Sequence, residues 1–123
     1  MSIKKEVAIK SAQTVSVLRA VAAKEKDPAV KSGDYLAKHF LTNKYRLFVG
    51  LLPHRLVKAI IQFFSPGSYC FMIGRTKHFD ETLLREINDG IGQVVILGAG
   101  YDTRPFRFAD KLKNIPVFEI DFP

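Results

Sequence analysis

An α/β fold, in which a helical N-terminal region leads into the first β-α-β unit of a nucleotide-binding sheet, is predicted by three features of this 123-residue sequence. An apolar, β-branched run from Gln93 to Leu97 ends abruptly in Gly98-Ala99-Gly100, as a buried parallel strand does when it enters a ligand-binding loop. A second short apolar run, Pro116 to Asp121, ends in a carboxylate 21 residues after Gly100. Everything before Gly90 reads as helices separated by proline, glycine and aspartate breaks.

Taken in order, Ser11 reads as a cap for a helix whose apolar positions are Val15, Leu18, Val21 and Ala22, with Asp27-Pro28 ending the pattern. Asp34 caps a short helix carrying Tyr35, Leu36, Phe40 and Leu41, and Asn43 to Gly50 is ambiguous. Pro53 suits the first position of a helix striped with Leu56, Val57, Ile60, Ile61 and Phe64. That basic amphipathic pattern fits core packing or a lid over a ligand better than a membrane surface. After Ser65-Pro66-Gly67, a longer helix runs from Ser68 to about Asn88 on Tyr69, Met72, Ile73, Thr76, Phe79, Leu83 and Ile87. Arg75 sits at the edge of that stripe, where it either reaches solvent or faces an anion at the sheet edge.

The strand from Gln93 to Leu97 is apolar enough to be covered on both faces. In the loop, Gly98 and Gly100 let the backbone turn sharply and approach a ligand with no Cβ in the way. Asp102 and Thr103 can cap a helix from Thr103 to about Leu112, with Pro105 near its start. Asp121, at the tip of the neighbouring strand, can accept two ribose hydroxyls, and Glu119 has the same parity and can share that role. A dinucleotide fingerprint would place a third glycine where Thr103 stands, and the loop has no lysine to cradle a triphosphate. S-adenosylmethionine, with a ribose and adenine but no phosphate, needs neither.

Composition sets further bounds. The formal net charge of +7 permits an anionic partner, but the basic residues are scattered and read as solvated surface. The lone Cys70 excludes an intramolecular disulfide and reads as a small buried hydrophobe. His39, His54 and His78 form no constellation in sequence, and no metal site is expected. Arg19 interrupts the best candidate for a signal-peptide core, and no run of about 18 uncharged apolar residues exists, so a cytoplasmic setting is expected.

Gly98-Ala99-Gly100-Tyr101-Asp102-Thr103-Arg104, followed by Phe118-Glu119-Ile120-Asp121-Phe122-Pro123, closely resembles the leucine carboxyl methyltransferase family and its bacterial relatives. Upstream, Ser11-Ala12 with Arg19-Ala20, the segment Asp34 to Leu41, and Arg75-Thr76 with Asp80 match the same family, although Tyr35 stands where bacterial relatives often have proline. The resemblance implies a Rossmann-like class I fold and S-adenosylmethionine as cofactor. It implies transfer of a methyl group to oxygen, most simply that of a carboxylate. Arg75 would then bind the methionyl carboxylate, Gly98, Ala99 and Gly100 the cofactor backbone, and Asp121 the ribose, with Arg19 as another basic partner for the carboxylate. No catalytic acid or base is implied, because a carboxylate is already nucleophilic.

Residues 1–90 would form a helical cap and 91–123 the start of the cofactor domain. Two parallel strands make a poor sheet, so the chain is expected to be the N-terminal part of a protein roughly twice this length or more, and inactive alone. Adenine and acceptor contacts would come after Pro123. The acceptor, a small-molecule acid or a protein carboxylate, is open, as is oligomeric state; nucleic acid is not expected as a partner. An NAD-binding half-domain and a non-enzymatic basic interaction module are the alternative readings.

Overall fold

The computed structural model describes residues 3–121; Met1, Ser2, Phe122 and Pro123 lie outside the described residues, so the last two positions of the resemblance have no structural counterpart here. The elements are α1 (Ile3–Ala22), a 3-10 turn (Ala37–Phe40), α2 (Asn43–Leu51), α3 (His54–Phe64), α4 (Ser68–Asn88), β1 (Val94–Leu97), α5 (Arg104–Arg107) and β2 (Val117–Ile120). The fold is helix-rich α/β, with β1 and β2 paired in parallel and Val94, Val95, Ile96 and Leu97 opposite Val117, Phe118, Glu119 and Ile120.

Helix α1 begins well before the expected cap. Ser11 lies inside it, and the first turns are held by a Glu6–Lys10 ion pair at 2.7 Å, one helical turn apart. Its Val17, Leu18 and Val21 meet Leu41, Val49, Val57, Tyr69, Met72 and Ile73 in a core built entirely from helices and their connections. Gln13 is buried with both ends of its amide used: it donates to Phe40 O at 2.7 Å and accepts from Thr42 N at 2.9 Å. This fixes the turn after the 3-10 segment against α1. Asp34 accepts the Ala37 N–H at 3.0 Å, but Leu36 holds the cap position and the segment is a 3-10 turn rather than an α-helix. The ambiguous stretch at Asn43 is helical, and Pro53 precedes α3 rather than opening it.

The core is also tied by a partly buried polar triad. Glu25 accepts from Lys58 Nζ at 2.8 Å and from the Tyr69 hydroxyl at 2.9 Å, joining the end of α1 to α3 and α4. The hydrogen bond from Lys58 chiefly holds the Glu25 carboxyl below its ordinary value of 4.5, while burial and the Glu25 hydrogen bond push the Tyr69 phenol up. A lowered carboxyl pKa contributes stability above the unfolded value, and that contribution is lost as pH falls through the folded value. Thermal melts should therefore show a loss of stability beginning near pH 4.5 and growing below it. Glu25→Gln should be less stable at neutral pH and show a smaller part of that acid-induced loss; an unchanged acid limb would remove Glu25 as its source.

Three expectations are corrected. Cys70 is exposed, because Tyr69, Met72 and Ile73 take the core-facing positions of α4 and Cys70 points about a quarter-turn away. The α5 helix is a single turn: Phe108, at φ −111° and ψ 21°, leaves helical geometry, and successive turns carry the chain to Pro116. Nine residues from Phe108 to Pro116 must return the chain to the start of β2, which leaves no length for a longer helix. The sheet, finally, is not covered on both faces. Val95, Leu97, Phe118 and Ile120 share one face by register and all are exposed, Leu97 by 75%, since the helices bury their apolar sides against one another.

Candidate functional site

The chain leaves β1 at Leu97 and is immediately held by β2: Gly98 N donates to Ile120 O at 2.7 Å. Gly98 (φ 62°) and Gly100 (φ 53°) adopt the left-handed backbone that glycine tolerates without strain. A Cβ on Gly100 would lie 3.6 Å from Ala12 Cβ and 3.9 Å from Asp121 Oδ2, so α1 and the tip of β2 both close on this residue. The Gly100 N–H donates to Asp121 Oδ2 at 2.5 Å, which sets the carboxylate at the mouth of the loop.

Above the loop lies a cleft of about 460 Å³. Gly98, Ala99, Gly100 and Asp121 form one wall, Arg19 and Val15 of α1 another, and Met72 and Arg75 of α4 the third. Six of the seven residues singled out from the sequence therefore meet in one place. Glu119 is the exception: it sits opposite Ile96, one pair short of the strand end, and does not line the cleft. Arg75 is exposed, with its guanidinium 5.8 Å from the Phe79 ring and no carboxylate of the described residues within ion-pair distance. A wider groove of about 600 Å³ continues from Arg75 along β1, beside Phe79 and Leu83.

Arg19 is used differently from a free anion partner. It is buried, donates to Tyr101 O at 2.7 Å and to Ser16 Oγ at 3.2 Å, and its Nη1 lies 3.0 Å from Asp34 Oδ2. Neither Arg19 Nε nor Asp34 Oδ2 has an aligned hydrogen-bond partner, so the contact is ionic rather than a bidentate fork. Burial holds the Arg19 guanidinium below its ordinary value, partly offset by Asp34 and Asp102. Tyr101 is gripped twice, since its ring also packs on Phe40 with centroids 5.7 Å apart.

Behind the loop runs a network with no counterpart among the site residues drawn from the sequence. Asp80 of α4 accepts from Arg107 Nη1 at 2.6 Å and Nη2 at 2.8 Å and from Arg104 Nε at 2.9 Å. Arg104 also pairs with Asp102, whose Oδ1 caps the Arg104 N–H at 2.9 Å. Arg107 Nε donates to the buried Thr103 Oγ1 at 2.9 Å and lies 3.7 Å from Asp34. Burial opposes the Arg107 charge, but Asp80, aided by Asp34 and Asp102, outweighs it and raises the guanidinium above its ordinary value. Three arginines and three aspartates thus balance and lock the loop to α1 and α4. The signal was present as Thr103 and Arg107, four residues apart on one helical face, but without the distant Asp80 both arginines read as surface charges.

A glycine loop between parallel strands, an acid at the second strand's tip and an arginine of α4 thus line one cleft. The chain belongs to the leucine carboxyl methyltransferase family, which matches residues 12–123. A Mycobacteroides abscessus protein that carries the name S-adenosyl-L-methionine-dependent methyltransferase is 36% identical over 118 residues, covering 92% of this chain and 36% of its own length. A second protein of the same organism and name is 37% identical over 111 residues, covering 89% of this chain and 34% of its own. A Streptomyces coelicolor protein of that name is 52% identical over 48 residues, which are 38% of this chain and 16% of its own. The chain thus spans about a third of the length of the first two. No solved structure matches it.

Proposed function

We propose that this chain carries the S-adenosylmethionine-binding half of an O-methyltransferase that esterifies a carboxylate. The observation that carries the reading is the convergence of Gly98, Ala99, Gly100, Asp121 and Arg75 on one cleft. Its size falls within the roughly 300–1,000 Å³ of small-molecule sites. The donor set suits the ligand: Arg75 offers a cation for the methionyl carboxylate, and the open side of Gly98 lets the backbone lie close to it. Asp121 would accept from the ribose, with the Gly100 amide holding its carboxylate at the mouth of the loop. Arg19 acts one step back, holding Tyr101 and hence the loop, and Glu119 takes no part.

When bound, S-adenosylmethionine supplies an electrophilic methyl group on a sulfonium sulfur. Gly98, Ala99, Gly100, Asp121 and Arg75 would hold the cofactor, which would supply that methyl group to a carboxylate oxygen of the acceptor and keep the carbon–sulfur electron pair on sulfur. No proton has to move, so the protein's task is to align the two and exclude water. The acceptor, a small-molecule acid or a protein carboxylate, would be held by polypeptide outside this chain, and nucleic acid is not part of the reading. We assign residues 1–90 to a helical cap and 91–123 to the start of a Rossmann-like domain, acting in the cytoplasm. The open groove along β1 and the exposed face of Val95, Leu97, Phe118 and Ile120 support a sheet that further strands would complete. The family match favours this reading over an NAD site.

The test is calorimetric titration with S-adenosylmethionine of the 123-residue chain and of a polypeptide carrying the complete domain. Binding should be weak or absent in the first and saturable in the second. Tight binding by the short chain would overturn its status as half a site, and saturable NAD binding by the complete domain would overturn the choice of cofactor.

A further inference from the structure

The charge of this chain is not spread as evenly as its scattered lysines suggest. Between Asp34 and Asp80 there is no acidic residue, and the stretch 35–79 holds seven of the 19 lysines and arginines. The remaining residues carry twelve basic and twelve acidic side chains, so the whole net charge of +7 arises in this one segment.

The same segment leaves its apolar residues uncovered. Helix α3 turns Val57 into the core and spends Lys58 on Glu25, which leaves Leu56 and Phe63 exposed about a third of a turn away from Val57. Phe63 and Phe64 are 81% and 80% exposed, edge to face at 5.3 Å, at the end of the helix. Phe71, in the first turn of α4, is exposed just past the tight turn at Ser65–Gly67. Arg55 flanks the open side of α3, and Lys44 and Arg46 stand exposed on α2, which meets α3 at a bend of 117°. No single helix among the described residues is long and apolar enough to cross a membrane.

We propose that the outer side of α3 and the corner joining it to α4 dock on an anionic lipid surface. Phe63, Phe64 and Phe71 would enter the boundary between headgroups and acyl chains, and Arg55 would meet the headgroups. Exposed aromatics on an amphipathic helix, with an exposed cation beside them in a segment that carries no acid of its own, are what such an interface selects. A second copy is a poor occupant, because it would set one acid-free +7 segment against another. A nucleic acid would use the cations and leave the phenylalanine pair without a role. This inference does not depend on the cofactor assignment.

Co-sedimentation of the 123-residue chain with vesicles tests it. Phosphatidylcholine vesicles containing about 30% phosphatidylglycerol should retain the chain, pure phosphatidylcholine should not, and salt should weaken retention. Phe63→Ser with Phe64→Ser should lower the partition coefficient about tenfold or more while circular dichroism is unchanged, since neither ring is in the core. Arg55→Gln should lower it about fivefold on the anionic vesicles alone. Equal retention on both vesicle types, retention indifferent to the phenylalanine pair, or a dimer in sedimentation velocity that dissociates in the Phe63→Ser, Phe64→Ser variant would overturn the proposal.

Discussion

Replacing Asp80 by alanine should lower the unfolding free energy by about 3 kcal/mol, the largest effect expected of any single charge in this chain. Asp80 neutralises two guanidinium groups at once, and the more buried of them, Arg107, has a side chain only 4% exposed. Without Asp80, Arg107 keeps Thr103 Oγ1 at 2.9 Å and Asp34 at 3.7 Å, and the latter is already shared with Arg19. The cost is that of an uncompensated buried cation, far above the roughly 0–1 kcal/mol of a surface ion pair. Asp80→Asn, which keeps an acceptor but loses the charge, should fall between wild type and alanine. Urea unfolding followed by circular dichroism measures both. A loss below about 1 kcal/mol for Asp80→Ala would mean that the network is surface-like and does not hold the loop.

Arg75→Ala and Asp121→Ala should each weaken S-adenosylmethionine binding in the complete domain, the first with little change in stability. Arg75 is exposed and pairs with no carboxylate among the described residues, so its removal leaves no buried charge behind. Each contact is a charge-assisted one, worth about 2 kcal/mol or some thirtyfold in dissociation constant. Arg19→Ala contrasts with both. Its guanidinium holds Tyr101 O and Asp34, so its loss should lower stability as well as affinity.

The elements easiest to read were those decided by local chemistry. Ser65-Pro66-Gly67 and Asp89-Gly90 bracket α4, whose limits match the sequence reading, and the glycine loop stands where β-branched residues stop. Six of seven site residues share the cleft because loop, strand tip and helix edge were each marked by residue type. What was not legible depended on distant partners. Arg104 and Arg107 look like solvated helix charges until α4 brings Asp80 beneath them, and Arg19 looks like a free cation until Asp34 is found against it. The apolar stripe of α3 has the same limit: periodicity puts Val57 and Phe64 in one stripe, but only packing shows that one is covered and the other open.

The cleft above Gly98–Gly100 is proposed to hold S-adenosylmethionine, with Asp121 on its ribose. Calorimetric titration of the cofactor into the complete domain and its Asp121→Ala variant tests that claim most directly. Saturable binding by the parent and a dissociation constant raised about thirtyfold in the variant are expected. Equal affinities in the two proteins would contradict the claim.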